Sequence, residues 1–172
     1  MGTGIEPERP DNMTTAGNRE NESVAQEMKE SLCHRICGTF SLPEQEAKQY
    51  SPLNLAYIGD AVYEVIIRTI LLERGNAPVN VLHKHASRLV RAEAQKDAYY
   101  RMKDLLTEEE LSIFRRGRNA KSYTSAKNAT IGDYRVATGF EALFGYWYLT
   151  GQTERMLSMA KAGMTEEEKN AV

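Results

Sequence analysis

Residues 51–75 read Ser-Pro-Leu-Asn-Leu-Ala-Tyr-Ile-Gly-Asp-Ala-Val-Tyr-Glu-Val-Ile-Ile-Arg-Thr-Ile-Leu-Leu-Glu-Arg-Gly. Serine followed by proline is a helix start: the Ser51 hydroxyl can cap a free amide, and Pro52 takes the first helical position, where a missing N–H costs nothing. Gly75-Asn76 supplies the stop, so the segment predicts a helix to about Arg74. From Ala61 to Leu72 it is apolar nearly all round, which predicts a central, buried element. Asp60 stands inside this stretch, between Ala56-Tyr57-Ile58-Gly59 and Ala61-Val62.

Downstream, a second helix is expected from Pro78–Asn80 to about Lys103, with Leu82, Ala86, Leu89 and Ala92/Glu93 on one face and Lys84, Arg88 and Arg91 on another. Thr107 with Glu110 three residues later makes a capping box for a third helix ending near Gly117. Residues 118–131 are polar and basic and read as a loop with room for a short helix. Gly132-Asp133 opens a fourth helix through Leu149, carrying Phe140, Leu143, Phe144 and Trp147, and Gly151 ends it. A last helix covers about Gln152 to Ala162. Sustained strand-type alternation is missing throughout, so the expected class is all-α.

Upstream the signals weaken. Residues 1–22 hold almost no large apolar side chains and are expected to be disordered. Residues 23–38 fit a short helix capped by Ser23, with Val24, Met28, Leu32 and Ile36 on one stripe, and residues 39–50 read as a linker. The organisation expected is therefore an extension (1–50), one helical domain (51–163) and an acidic tail (164–172).

The net charge of −2 conceals an uneven distribution. Residues 1–50 carry a net −4, residues 164–172 a net −2, and residues 51–163 a net +4. A basic domain between acidic ends keeps a polyanion partner in play. The apolar run with the fewest interruptions, Val62–Leu72, still contains Glu64 and Arg68 and is too short to cross a bilayer. With no secretory pattern and only two cysteines, Cys33 and Cys37, a reducing cytoplasm is expected. Cys33, His34 and Cys37 on a surface helix, and His83 and His85 on different faces, do not read as zinc sites.

Asp60 and Glu141 carry the chemical signal, because each lies within one of the two most apolar helices. Carboxylates seldom occupy such segments unless paired, protonated or bound to a cation. The pattern leaves two readings open: a metal-gripping pair, or two structural acids each satisfied by an arginine or a backbone group.

Ala56-Tyr57-Ile58-Gly59-Asp60-Ala61-Val62 resembles the signature of the ribonuclease III family, and Phe140-Glu141-Ala142-Leu143-Phe144-Gly145 resembles that family's second motif helix. Leu82-His83-Lys84 and Arg116-Gly117-Arg118-Asn119-Ala120-Lys121 make the resemblance closer to its compact branch, Mini-ribonuclease III. The likeness spans about residues 51–163. It implies a ribonuclease III-type helical bundle acting as a homodimer. It also implies a Mg²⁺-dependent endoribonuclease that cuts double-stranded RNA to 5′-phosphate and 3′-hydroxyl ends. Asp60 and Glu141 would be its catalytic, metal-holding residues. The larger family places four acids around its metals; here Ala56 and Thr138 stand at two of those positions, as in the compact branch. One acid per helix still suffices for a Mg²⁺ that keeps several waters.

The nine residues after Gly163 leave no room for a separate duplex-binding domain, so RNA contacts are expected from the helical domain itself. Arg115, Arg116, Arg118, Lys121 and Lys127 are the leading candidates, with Lys84 and Arg88 as a second stripe. Glu64, one turn from Asp60, is a candidate for the metal's outer shell, with a salt bridge to an arginine as the more ordinary role. Thr138 is a candidate for orienting water or for bonding back to its own helix. The resemblance further implies maturation of 23S ribosomal RNA ends, assisted by a large-subunit ribosomal protein. The competing readings are a non-cutting RNA-binding module of the same type and a helical interaction domain without an RNA role.

Overall fold

The computed structural model describes Gln26 and residues 31–43, 45–121 and 130–170. The helices are α1 (Leu32–Thr39), α2 (Pro52–Arg74), α3 (Val79–Val90), α4 (Ala92–Met102), α5 (Glu108–Asn119), α6 (Ile131–Leu149), α7 (Thr153–Gly163) and α8 (Glu166–Asn170). Short 3₁₀ turns at Ala47–Gln49 and Lys103–Leu105 join them, and there is no strand among the described residues.

The start signals act as their chemistry dictates. Ser51 accepts the Asn54 N–H at 3.1 Å, with Pro52 at the head of α2. Thr107 and Glu110 form the reciprocal capping box of α5. Thr130 caps α6 through the Asp133 N–H at 3.1 Å, so the helix begins at Ile131, one residue before the expected Gly132. Gly151 follows α6 with φ 69°, a left-handed conformation that a side chain would strain.

The hub is α6, not α2. Residues 137–140 and 142–147 are buried, and α2, α4, α5 and α7 all pack on this helix. Phe140, Phe144 and Trp147 are at most 1% exposed, and Tyr63 of α2 meets both phenylalanine rings edge-on at 4.9 Å. Helix α2 buries one face only, through Leu55, Ala56, Gly59, Tyr63, Ile67 and Leu71. Its opposite face shows Leu53, Tyr57, Val65 and Leu72, with Tyr57 80% exposed. Hydrophobicity all round a helix tells that it avoids water, but not which neighbour covers each side.

The expected second helix is two. Arg91 is extended (φ −66°, ψ 153°) and divides α3 from α4, though no proline or glycine marks the place. The break resets the helical phase. Helix α3 turns Ala86 inward against α2, whereas α4 turns Gln95, Ala98, Tyr99 and Met102 into the core.

Differences also appear at the two ends. Helix α1 begins at Leu32 under a Ser31 cap, and it leaves Leu32 65% and Ile36 38% exposed instead of forming an inward stripe. Ser23, Val24, Met28 and the 1–22 segment lie outside the described residues. In the expected linker, Ala47 joins the core and Lys48 pairs with Glu109 at 2.7 Å. The acidic C-terminal segment is docked: Met164 is in the core, Arg74 donates to the Glu168 carbonyl at 2.6 Å, and Arg101 reaches the Glu168 carboxylate at 3.4 Å.

Candidate active site

Two glycines decide where the acids meet. A Cβ on Gly59 would run into the carbonyl oxygen of Glu141, and one on Gly145 would run into the carbonyl oxygen of Leu55. Helices α2 and α6 therefore touch backbone to backbone, and Asp60, the residue after Gly59, falls beside Glu141. The two apolar motifs, 81 positions apart in the chain, become one site because neither helix carries a side chain at the crossing.

Asp60 stands at the exposed rim and Glu141 is half-buried. Burial pushes the Asp60 carboxyl above its ordinary value, and Glu64 adds to the effect. Burial also raises Glu141, Asp60 raises it further, and a contact from Gln95 only partly offsets them, leaving it at about 8. Neither acid has a cationic partner among the described residues. Two converging carboxylates without a counter-charge disfavour their own ionisation and favour a cation.

No third ligand joins them: among the described residues no cluster of three or more His, Cys, Asp or Glu could hold a metal. Glu64 is taken by Arg68 at 2.6 Å, the ordinary role weighed for it. Thr138 is buried at 6% exposure and donates back to the Tyr134 carbonyl at 3.0 Å. The donor set is thus two oxygen ligands in a site open on the Asp60 side. That suits a hard divalent cation that keeps several waters, and it does not suit zinc.

The basic residues divide between two helices. Arg115, Arg116 and Arg118 lie exposed on the last two turns of α5, and Lys121 is exposed just beyond them. Gly117 of α5 packs on Gly139, two residues before Glu141, so this basic turn crosses α6 at the same level along the helix. Arg116 donates to the Tyr50 carbonyl at 3.2 Å, and Arg118 and Arg115 act on the Tyr99 hydroxyl of α4, whose pKa burial raises overall. Lys84 and Arg88 are exposed on α3, which packs against α2. Lys127 lies outside the described residues.

Two residues escaped the sequence reading. Gln95 is buried beside Glu141, hidden because the apolar phase was carried unbroken through Arg91. Its signal was the spacing Gln95-Ala98-Tyr99-Met102, a polar residue on an apolar stripe. Glu110 was read only as a cap, yet it is a buried acid at the centre of a polar network.

The ribonuclease III domain family matches residues 53–152 of this chain. A Mini-ribonuclease 3 from Clostridium tetani is 50% identical over 119 residues, covering 69% of this chain and 79% of that protein. One from Thermoanaerobacter is 48% identical over 129 residues, covering 75% and 91%, and one from Enterococcus faecalis is 48% identical over 130 residues, covering 72% and 98%. A crystal structure of a Fusobacterium nucleatum protein aligns with a TM-score of 0.62 at 30% identity, covering 68% of this chain and 93% of that one.

Proposed function

The chain belongs to the ribonuclease III family, within its Mini-ribonuclease 3 group, and is an endoribonuclease; on that premise we propose that it hydrolyses double-stranded RNA with Mg²⁺ held by Asp60 and Glu141. The observation that carries this reading is the convergence of two carboxylates from α2 and α6 with no cationic partner among the described residues.

A hard divalent cation there would supply the positive charge that offsets charge developing on the phosphate and that acidifies a water molecule. The protein's own residues do the rest. Asp60 and Glu141 would provide the negative charge that holds the cation, and Glu141, raised to about 8, would need to be ionised to take part. Glu64 is kept back by Arg68, and Thr138 is spent on its own helix, so neither competes for the ion.

Arg115, Arg116, Arg118, Lys121 and Lys127 hold the duplex by its phosphates, with Lys84 and Arg88 extending the contact. Recognition rests on charge and on the shape of the RNA helix. Hydrolysis yields a 5′-phosphate and a 3′-hydroxyl. Two sites are needed for two strands, so the working form is a symmetric homodimer. The exposed apolar stripe Leu53, Tyr57, Val65 and Leu72 on α2 supports that assembly. The biological substrate proposed is the 23S ribosomal RNA precursor, presented by a large-subunit ribosomal protein in the cytoplasm. No described helix is long and apolar enough to cross a membrane.

The test is incubation of the protein with a long duplex RNA, with and without Mg²⁺, beside Asp60→Asn. Cutting by the wild type only with Mg²⁺, and none by the variant, is expected. A folded wild type that binds duplex without cutting it, or an Asp60→Asn that cuts normally, removes the reading.

A further inference from the structure

Gln95 is the one buried side chain among the described residues whose polar atoms have no well-formed hydrogen bond; both Nε2 and Oε1 are left over. It is 1% exposed, on the face of α4 that also carries Ala98, Tyr99 and Met102. Burying an amide with neither end satisfied is costly, and methionine or leucine would fill the same space without that cost. An amide kept there calls for a partner that the resting site does not fully supply.

The candidate partner is next to it. Helix α4 packs on α6, and the Gln95 amide borders the Glu141 carboxyl closely enough to favour its ionised form. Glu141 in turn borders Asp60 across the Gly59 crossing. A half-made contact from a buried amide to one of only two acids is what a carboxylate needs if it is to be held in a single rotamer.

We propose that Gln95 is a positioning residue for Glu141: its Nε2–H donates to one carboxylate oxygen, leaving the other for the cation shared with Asp60. This rests on the metal-dependent reading above and deepens it. With a single acid on each helix, the orientation of each one matters more than it would in a four-acid site. Partners of this kind set metal affinity by tenfold to a hundredfold.

The test uses the full chain and Mn²⁺ as probe, with free ion followed by electron paramagnetic resonance at pH 8. Wild type, Gln95→Met, Gln95→Leu and Asp60→Asn are compared, and each protein is melted without metal. The Gln95 variants are expected to melt at or above the wild-type temperature, to bind Mn²⁺ roughly tenfold to a hundredfold more weakly, and to bind duplex RNA without metal as the wild type does. A folded Gln95 variant with wild-type Mn²⁺ affinity overturns the proposal. So do two variants that both melt well below wild type, since the amide would then serve folding. If Asp60→Asn abolishes Mn²⁺ binding while the Gln95 variants keep it, only this inference falls; if the wild type binds no Mn²⁺, the metal reading falls with it.

Discussion

Glu110 and Glu141 are glutamates on adjoining helices, one buried and one half-buried, and they are treated in opposite ways. Glu110 is 4% exposed and surrounded by donors: Trp147 Nε1 at 2.8 Å, Arg155 Nε at 2.8 Å and Nη2 at 2.7 Å, and the Thr107 N–H at 2.8 Å. Burial alone would raise its carboxyl, but those hydrogen bonds outweigh burial and hold it at about 2. Glu141 has burial, a neighbouring aspartate and one incomplete amide contact, and sits at about 8. Burial of an acid therefore does not mark a site. Burial without a counter-charge does, because that is the arrangement a cation would complete.

The comparison breaks most sharply through chemistry. Asp60→Asn should reduce duplex cleavage by about 10³-fold or more, roughly 4 kcal/mol of transition-state stabilisation, while its melting temperature holds or rises. A variant that loses fold and activity in parallel would put Asp60 in the same class as Glu110.

Glu110→Ala should do the reverse. It strands Arg155 and the buried Trp147 N–H, so unfolding by urea should show a loss of about 3–5 kcal/mol. Cleavage per folded molecule should stay close to wild type. A large fall in specific activity at unchanged stability would mean that Glu110 serves the site.

The pH dependence of the metal-free protein sharpens the contrast, because the two shifts have opposite signs. Glu110 is depressed, so its contribution is full above the ordinary 4.5 and is lost as pH falls toward about 2. Glu141 is raised, so the folded state keeps a proton that the unfolded chain releases, and stability falls as pH rises from 4.5 toward about 8. Thermal scans should therefore show greatest stability near the lower end of that upper window. Glu141→Gln should flatten the alkaline side and raise the midpoint at pH 8 but not at pH 4. An unchanged alkaline side in Glu141→Gln would show that this glutamate ionises without penalty.

The smallest effect is expected at Glu64. It lies one turn from Asp60 but is spent on Arg68 in a partly exposed pair of the i,i+4 kind, typically worth about 0.3–0.5 kcal/mol. Glu64→Gln should shift stability by no more than that and leave the Mg²⁺ dependence of cleavage in place. A marked rise in the Mg²⁺ requirement would add Glu64 to the site.

Much of this molecule was legible before its fold. Ser51-Pro52, the Thr107/Glu110 box and Gly151 mark helix ends through bonds made within four residues, so those boundaries can be read from the chain. Asp60 and Glu141 stood out because a charge within an apolar helix is conspicuous in one dimension. Which of the buried acids is satisfied was another matter. Trp147 and Arg155 reach Glu110 from 37 and 45 residues away, and Gln95 reaches Glu141 only because α4 is rephased after an unmarked break at Arg91. The centrality of α6, the exposed stripe of α2 and the crossing at Gly59 are likewise products of packing. Local spacing determines which residues share a helix face; only the assembled helices decide what that face meets, since a partner's identity and charge come from chain that lies far away in sequence.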